Sequence, residues 1–169
     1  TVTLIDATEN WWGAADGPGS VGPGSGDPVS DNVLYCPWLD AAPPGGSPFS
    51  PTGNLVTNQD TGELFCTIQA AIDDSDTLDG HTLVASSGVY TENVLLDKSL
   101  TLSGAGQGST LLYPAVSLPN PYAGSSLCGS ATAASNLIVV QADDVTIHDM
   151  TLDGDNPALT GLDIGGANV

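Results

Sequence analysis

Gly88-Val-Tyr-Thr-Glu-Asn-Val-Leu-Leu-Asp-Lys-Ser-Leu-Thr-Leu-Ser-Gly-Ala-Gly106 is the stretch whose reading decides the fold. Between Asn93 and Asp97 the apolar Val94 and Leu96 stand at alternate positions, the two-residue period of a strand with one face inward. Working outward, the same kind of segment recurs at Thr82–Ala85, Leu100–Leu102, Thr110–Leu112, Leu137–Val140, Val145–Ile147, Met150–Leu152 and Gly161–Ile164. Each is short, rich in Leu or β-branched residues, and bounded by Gly, Asp, Asn or Ser. Hairpin signals are scarce: Asn-Gly is absent, and the Asp-Gly pairs at Asp79 and Asp153 join no obvious partner strands. Crossover helices are missing too, which excludes a Rossmann or barrel α/β arrangement. Many short strands without hairpins or crossovers predict an all-β solenoid, in which each strand pairs with its counterpart one coil later.

One helix is expected. Leu64, Phe65, Ile68, Ala71 and Ile72 fall at helical spacing, and Asp73-Asp-Ser-Asp76 ends the pattern. An amphipathic helix over 64–74 has the right apolar stripe to cover the open end of a solenoid core. Upstream, eight of the twelve prolines lie between residues 13 and 53. They divide the chain into a Trp-rich segment (1–39), a Pro/Gly-rich linker (40–60) and the strand-rich unit (61–169). A loop excursion at 113–135 interrupts that unit. Both ends fall in apolar alternating stretches, so the chain is expected to be a piece of a longer polypeptide.

Composition narrows the function. One Lys+Arg against 20 Asp+Glu gives a formal net charge of −19 in 169 residues. A single cation cannot neutralise a run of phosphates, so nucleic acid is excluded as a partner. No polybasic segment or long apolar run supports membrane docking or insertion. Three widely spaced cysteines, Cys36, Cys66 and Cys128, show no metal-ligand spacing. With so few cations they point to an extracellular setting and one disulfide, for which Cys66–Cys128 is the candidate pairing; the odd number leaves at least one Cys free or paired outside this chain.

The motifs resemble the N-terminal part of right-handed parallel β-helix proteins, the pectate-lyase-like and pectin-methylesterase-like superfamily. The resemblance rests on Ile68-Gln-Ala-Ala-Ile-Asp73, Thr82–Ala85 and the motif residues Gly88, Tyr90, Glu92, Val94, Gly104 and Gly106. Val145-Thr-Ile-His-Asp-Met-Thr-Leu-Asp-Gly154 resembles a later coil. Asn10-Trp-Trp-Gly13 and Pro37-Trp-Leu39 are similar to the segment that closes the C-terminal end of bacterial surface β-helices. The resemblance implies a right-handed parallel β-helix with one N-terminal capping helix. The implied setting is an extracellular, bacterial cell-surface or filament protein. Trp11, Trp12, Trp38, Phe65, Ile68 and Ile72 are then the residues of end-capping and docking. Their partners would be neighbouring β-helix modules or copies of the same chain, with polysaccharide as a further ligand.

Enzymes of that superfamily act on acidic polysaccharides, but the required cations are missing. A pectate-lyase base and the Arg of a methylesterase site have no counterpart in a chain without Arg. Lys98, in a turn, reads as a solvated surface charge. No catalytic residue is assigned, and a non-enzymatic structural or adhesive module is expected. Two rivals are the N-terminal fragment of a secreted lyase, esterase or glycosidase, and a calcium-dependent carbohydrate-binding module. For the latter, Asp153-Gly-Asp155-Asn156 is oxygen-rich enough for Ca²⁺. The same residues also suit a plain turn, since Asp and Asn bond the local backbone. His81 and His148 are isolated, and His148 alternates outward from Ile147.

Overall fold

The computed structural model describes residues 5–20, 22–49, 55–115 and 136–156. Six two-residue strands come first: β1 (Ile5–Asp6), β2 (Gly19–Ser20), β3 (Pro28–Val29), β4 (Val33–Leu34), β5 (Trp38–Leu39) and β6 (Pro48–Phe49). Then follow β7 (Val56–Asn58), β8 (Leu64–Phe65), α1 (Ile68–Asp73), β9 (Thr82–Ala85), β10 (Gly88–Thr91) and β11 (Val94–Leu96). The described chain ends with β12 (Thr101–Ser103), β13 (Thr110–Tyr113), β14 (Ile138–Val140), β15 (Thr146–His148) and β16 (Thr151–Leu152).

The right-handed parallel β-helix expected from the sequence is not what these residues form. They make six small sheets of two to five strands. The largest, ordered β15-β12-β9-β7-β8, has mixed orientation: β7 runs antiparallel to both β8 and β9. β5 and β6 are antiparallel as well. Parallel ladders do occur, with Leu83 opposite Leu102 and Leu102 opposite Ile147, and Tyr90 opposite Leu112. Among the described residues no ladder joins more than three parallel strands. The physical reason lies in the first third of the chain. Proline withholds ladder donors and glycine weakens strands, so that region yields pairs of two-residue strands instead of stacked coils.

The main core is aliphatic. Ile68, Ile72, Leu83, Leu96, Leu102 and Leu112 are all buried in one cluster. Burying each such side chain contributes roughly 1.5–3 kcal/mol. A second, smaller cluster gathers Val29, Tyr35, Cys36, Trp38 and Cys66, with Trp12 packed against it. Leu64 and Phe65, expected at the start of the helix, instead form β8 against β7. The helix begins at Ile68 because Thr67 caps it, its hydroxyl accepting the Ala70 N–H at 3.0 Å.

Trp38 anchors the second cluster. It is fully buried, its indole N–H donates to the Ala15 carbonyl at 3.1 Å, and its ring meets Phe49 edge-on at 5.7 Å. Gly17 lies directly against that ring with φ +96°, and a Cβ there would sit 2.6 Å from Trp38 Cε2. Gly17→Ala combines a left-handed backbone with a rigid clash. It is expected to cost about 2–4 kcal/mol in denaturant unfolding.

Candidate functional site

The residues of the Gly88–Gly106 motif converge on α1. Along β10 and into β11, Tyr90, Glu92 and Val94 point inward together. The Tyr90 hydroxyl lies 3.0 Å from the Leu55 carbonyl and 3.2 Å from that of Ser86. The Glu92 carboxylate reaches the first turn of the helix: Oε1 accepts the Ile68 N–H at 2.9 Å and Oε2 the Gln69 N–H at 3.0 Å. Together with Thr67, it satisfies the donors that a helix start leaves open. Gln69 then fastens α1 to β11, its amide oxygen accepting the Leu95 N–H at 2.7 Å and its amide N–H₂ donating to the Asp73 carboxylate. Burial pushes the Glu92 carboxyl up to about 7, outweighing the two N–H bonds that favour its charged form.

The other end of α1 holds the chain's single Lys/Arg. Lys98, expected as a solvated charge, is half-buried and donates to the carbonyls of Asp74 and Thr77, each at 2.8 Å. A cation at the last carbonyls of a helix complements its dipole. Lys98→Met keeps the stem's packing and removes both charge-assisted bonds. It is expected to cost about 2–3 kcal/mol by thermal or denaturant unfolding.

An acidic seam runs between the Trp-rich segment and α1. Asp31, Asp73 and Asp74 line a cleft of about 420 Å³ together with Thr67, Gln69 and Ser20. Beside it, a small cavity of about 20 Å³ is lined by Asn32, Tyr35, Glu63 and Asp74, among others. Burial raises the Glu63 carboxyl, with the charges of Asp74, Asp76 and Asp31 adding to the effect. Asp74 is raised for the same first reason, although Lys98 opposes it. Burial pushes the Tyr35 phenol up to about 12.

The residues singled out in the sequence fall in other places. Cys66 is bonded to Cys36, with Cα atoms 5.7 Å apart, in place of the expected Cys66–Cys128 bridge. Cys128, the segment Gly161–Ile164 and the excursion beyond residue 115 lie outside the described residues. That disulfide spans the Pro-rich linker and ties the Trp-rich segment to the strand-rich unit. At the proposed calcium turn, Asp153 Oδ1 accepts the Asp155 N–H at 3.0 Å, an Asx turn. Asn156 is buried and its amide donates to the Pro114 carbonyl at 2.8 Å. Among the described residues, no three His, Cys, Asp or Glu side chains group closely enough to hold a metal.

The residues expected to dock a neighbour are largely interior. Trp38, Phe65, Ile68 and Ile72 are buried within this chain, while Trp11 and Trp12 are half-buried. His148 does face outward and pairs with Asp149 at 2.7 Å. His81 Nδ1 lies 3.2 Å from the Asn58 amide and 3.3 Å from the Leu78 N–H, a structural contact. Sequence reading assigned no site role to Glu92, Gln69, Glu63 or Asp74. For Glu92 the signal was present: it shares the inward face with Tyr90 and Val94 two residues to either side.

Comparison with known proteins is sparse. No family model matches the chain, and no solved structure matches it. A protein named cell surface glycoprotein, from the archaeon Methanothermus fervidus, is 49% identical over 51 residues. That covers 30% of this chain, and the matched stretch is about 9% of the length of the relative. Among the described residues, no helix is long and apolar enough to cross a membrane.

Proposed function

We propose that the chain is a non-enzymatic, extracellular module of a larger cell-surface protein, with a structural role. The local 49% identity to a cell surface glycoprotein carries this reading. The site geometry supports it. The buried Glu92 and the half-buried Lys98 are each spent on one end of α1. The disulfide fits an oxidising compartment, and the surface charge suits a salty exterior where ions screen repulsion. Its partners would be neighbouring modules of the same surface assembly. Antibodies raised against this 169-residue chain should label intact cells of its source, and protease shaving should release its peptides. Labelling that appears only after permeabilisation would overturn the proposal.

A further inference from the structure

The small cavity between β4 and β8 has a composition that no fold requirement explains. Tyr35 and Glu63 are only 4% and 3% exposed, yet the Tyr35 hydroxyl and Glu63 Oε2 have no hydrogen-bond partner among the described residues. Asn32 Oδ1, on the same cavity, is also buried and unpartnered. Leaving one such atom unsatisfied costs about 1–3 kcal/mol, and more for a charged oxygen, so three together call for an occupant. The unpartnered atoms are all oxygens. Asp74 and Asp31 line the same cavity, and the single Lys/Arg is engaged elsewhere with the Asp74 and Thr77 carbonyls.

We propose that this cavity binds one Ca²⁺ ion. Glu63 and Asp74 can each supply two carboxylate oxygens, and Asn32 and Tyr35 supply neutral ones, a set that reaches the six oxygens Ca²⁺ requires. A volume of about 20 Å³ admits the centre of one water-sized particle. The all-oxygen set suits a hard cation, and Ca²⁺ tolerates an irregular shell better than Mg²⁺. The ion would bridge the Trp-rich segment to β8 and the end of α1, across the seam that Cys36–Cys66 already spans. The inference is independent of where the protein resides, and it differs from the Asp153–Asn156 turn.

The test uses the oxidised 169-residue chain stripped with EGTA. Adding 1 mM CaCl₂ should raise Tm by at least about 4 °C, because an ion binding only the folded state stabilises it. Tb³⁺ should bind at one equivalent, with luminescence sensitised through Tyr35. Glu63→Gln should be at least as stable as wild type in EGTA, because it removes a buried charge, and should lose the Ca²⁺ increment. Tyr35→Phe should fold normally and bind Tb³⁺ with roughly tenfold lower affinity, the loss of one ligand's worth of binding energy. A double variant, Asp153→Asn with Asp155→Asn, should keep the full increment. The proposal is overturned if Ca²⁺ leaves the wild-type Tm unchanged, or if the increment survives Glu63→Gln. It is equally overturned if the increment disappears in the Asp153/Asp155 double variant.

Discussion

Glu92→Ala is expected to lower the unfolding free energy by about 3–5 kcal/mol, the largest single-residue effect outside the aliphatic core. The substitution leaves the Ile68 and Gln69 N–H groups buried without an acceptor and opens a void under the helix. The pH dependence of wild type is the sharper part of the expectation. Burial pushes the folded-state Glu92 carboxyl up to about 7, above the ordinary glutamate value of 4.5. Between those values the folded protein binds the proton more tightly than the unfolded chain. Stability is therefore greatest below about pH 4.5, falls by about 3 kcal/mol as the pH rises to about 7, and then levels off. Glu63 and Asp74, also raised, work in the same direction. Asp6 and Asp16 are lowered by bonds from Thr8 and Ser25 and oppose the trend, but both are fully exposed. Glu92→Gln should flatten the curve and cost less relative to wild type at pH 8 than at pH 5. Urea unfolding at several pH values reads both effects.

Breaking the Cys36–Cys66 disulfide should produce the second large effect. The bond closes a loop with a sequence separation of 30 residues. Removing it should cost about 3–4 kcal/mol through the freedom returned to the unfolded chain. The cluster around it is too small to compensate, with Trp38 and Tyr35 as its only large buried side chains. Cys36→Ser, or reduction of wild type, should therefore shift the urea midpoint and expose the Trp-rich segment to limited proteolysis first. A variant that keeps its midpoint, with cleavage distributed evenly along the chain, would contradict this account.

How far the sequence revealed these features depends on which physical signal each one leaves. β9 and β11–β16 could be read because Leu and Val at alternate positions mark strands with one buried face. The six two-residue strands β1–β6 could not, since two residues carry no period and Gly-Pro stretches read as loops. Phe65 fits a helical stripe as well as it fits β8, and only pairing with Val56 settles the matter. The recurrence of short strands without hairpin turns or crossover helices invited extrapolation to a regular solenoid. The antiparallel β7 and the small separate sheets depend on tertiary contacts that a local pattern does not encode. The disulfide had the same problem, because three cysteines permit three pairings and the path of the linker chooses among them. Lys98 was misjudged, and Glu92 left without a role, because charged residues are ordinarily solvated. Here each meets unpaired backbone groups at an end of α1, and those partners are distant in sequence.

The central claim is that this acidic chain uses buried carboxylates as structural anchors. The most direct measurement is a ¹³C NMR titration of the Glu92 side-chain carboxyl in the oxidised 169-residue chain. The account expects a midpoint near 7, with the amide signals of Ile68 and Gln69 moving at the same pH. A midpoint at or below the ordinary glutamate range, with those amides unmoved, would contradict it.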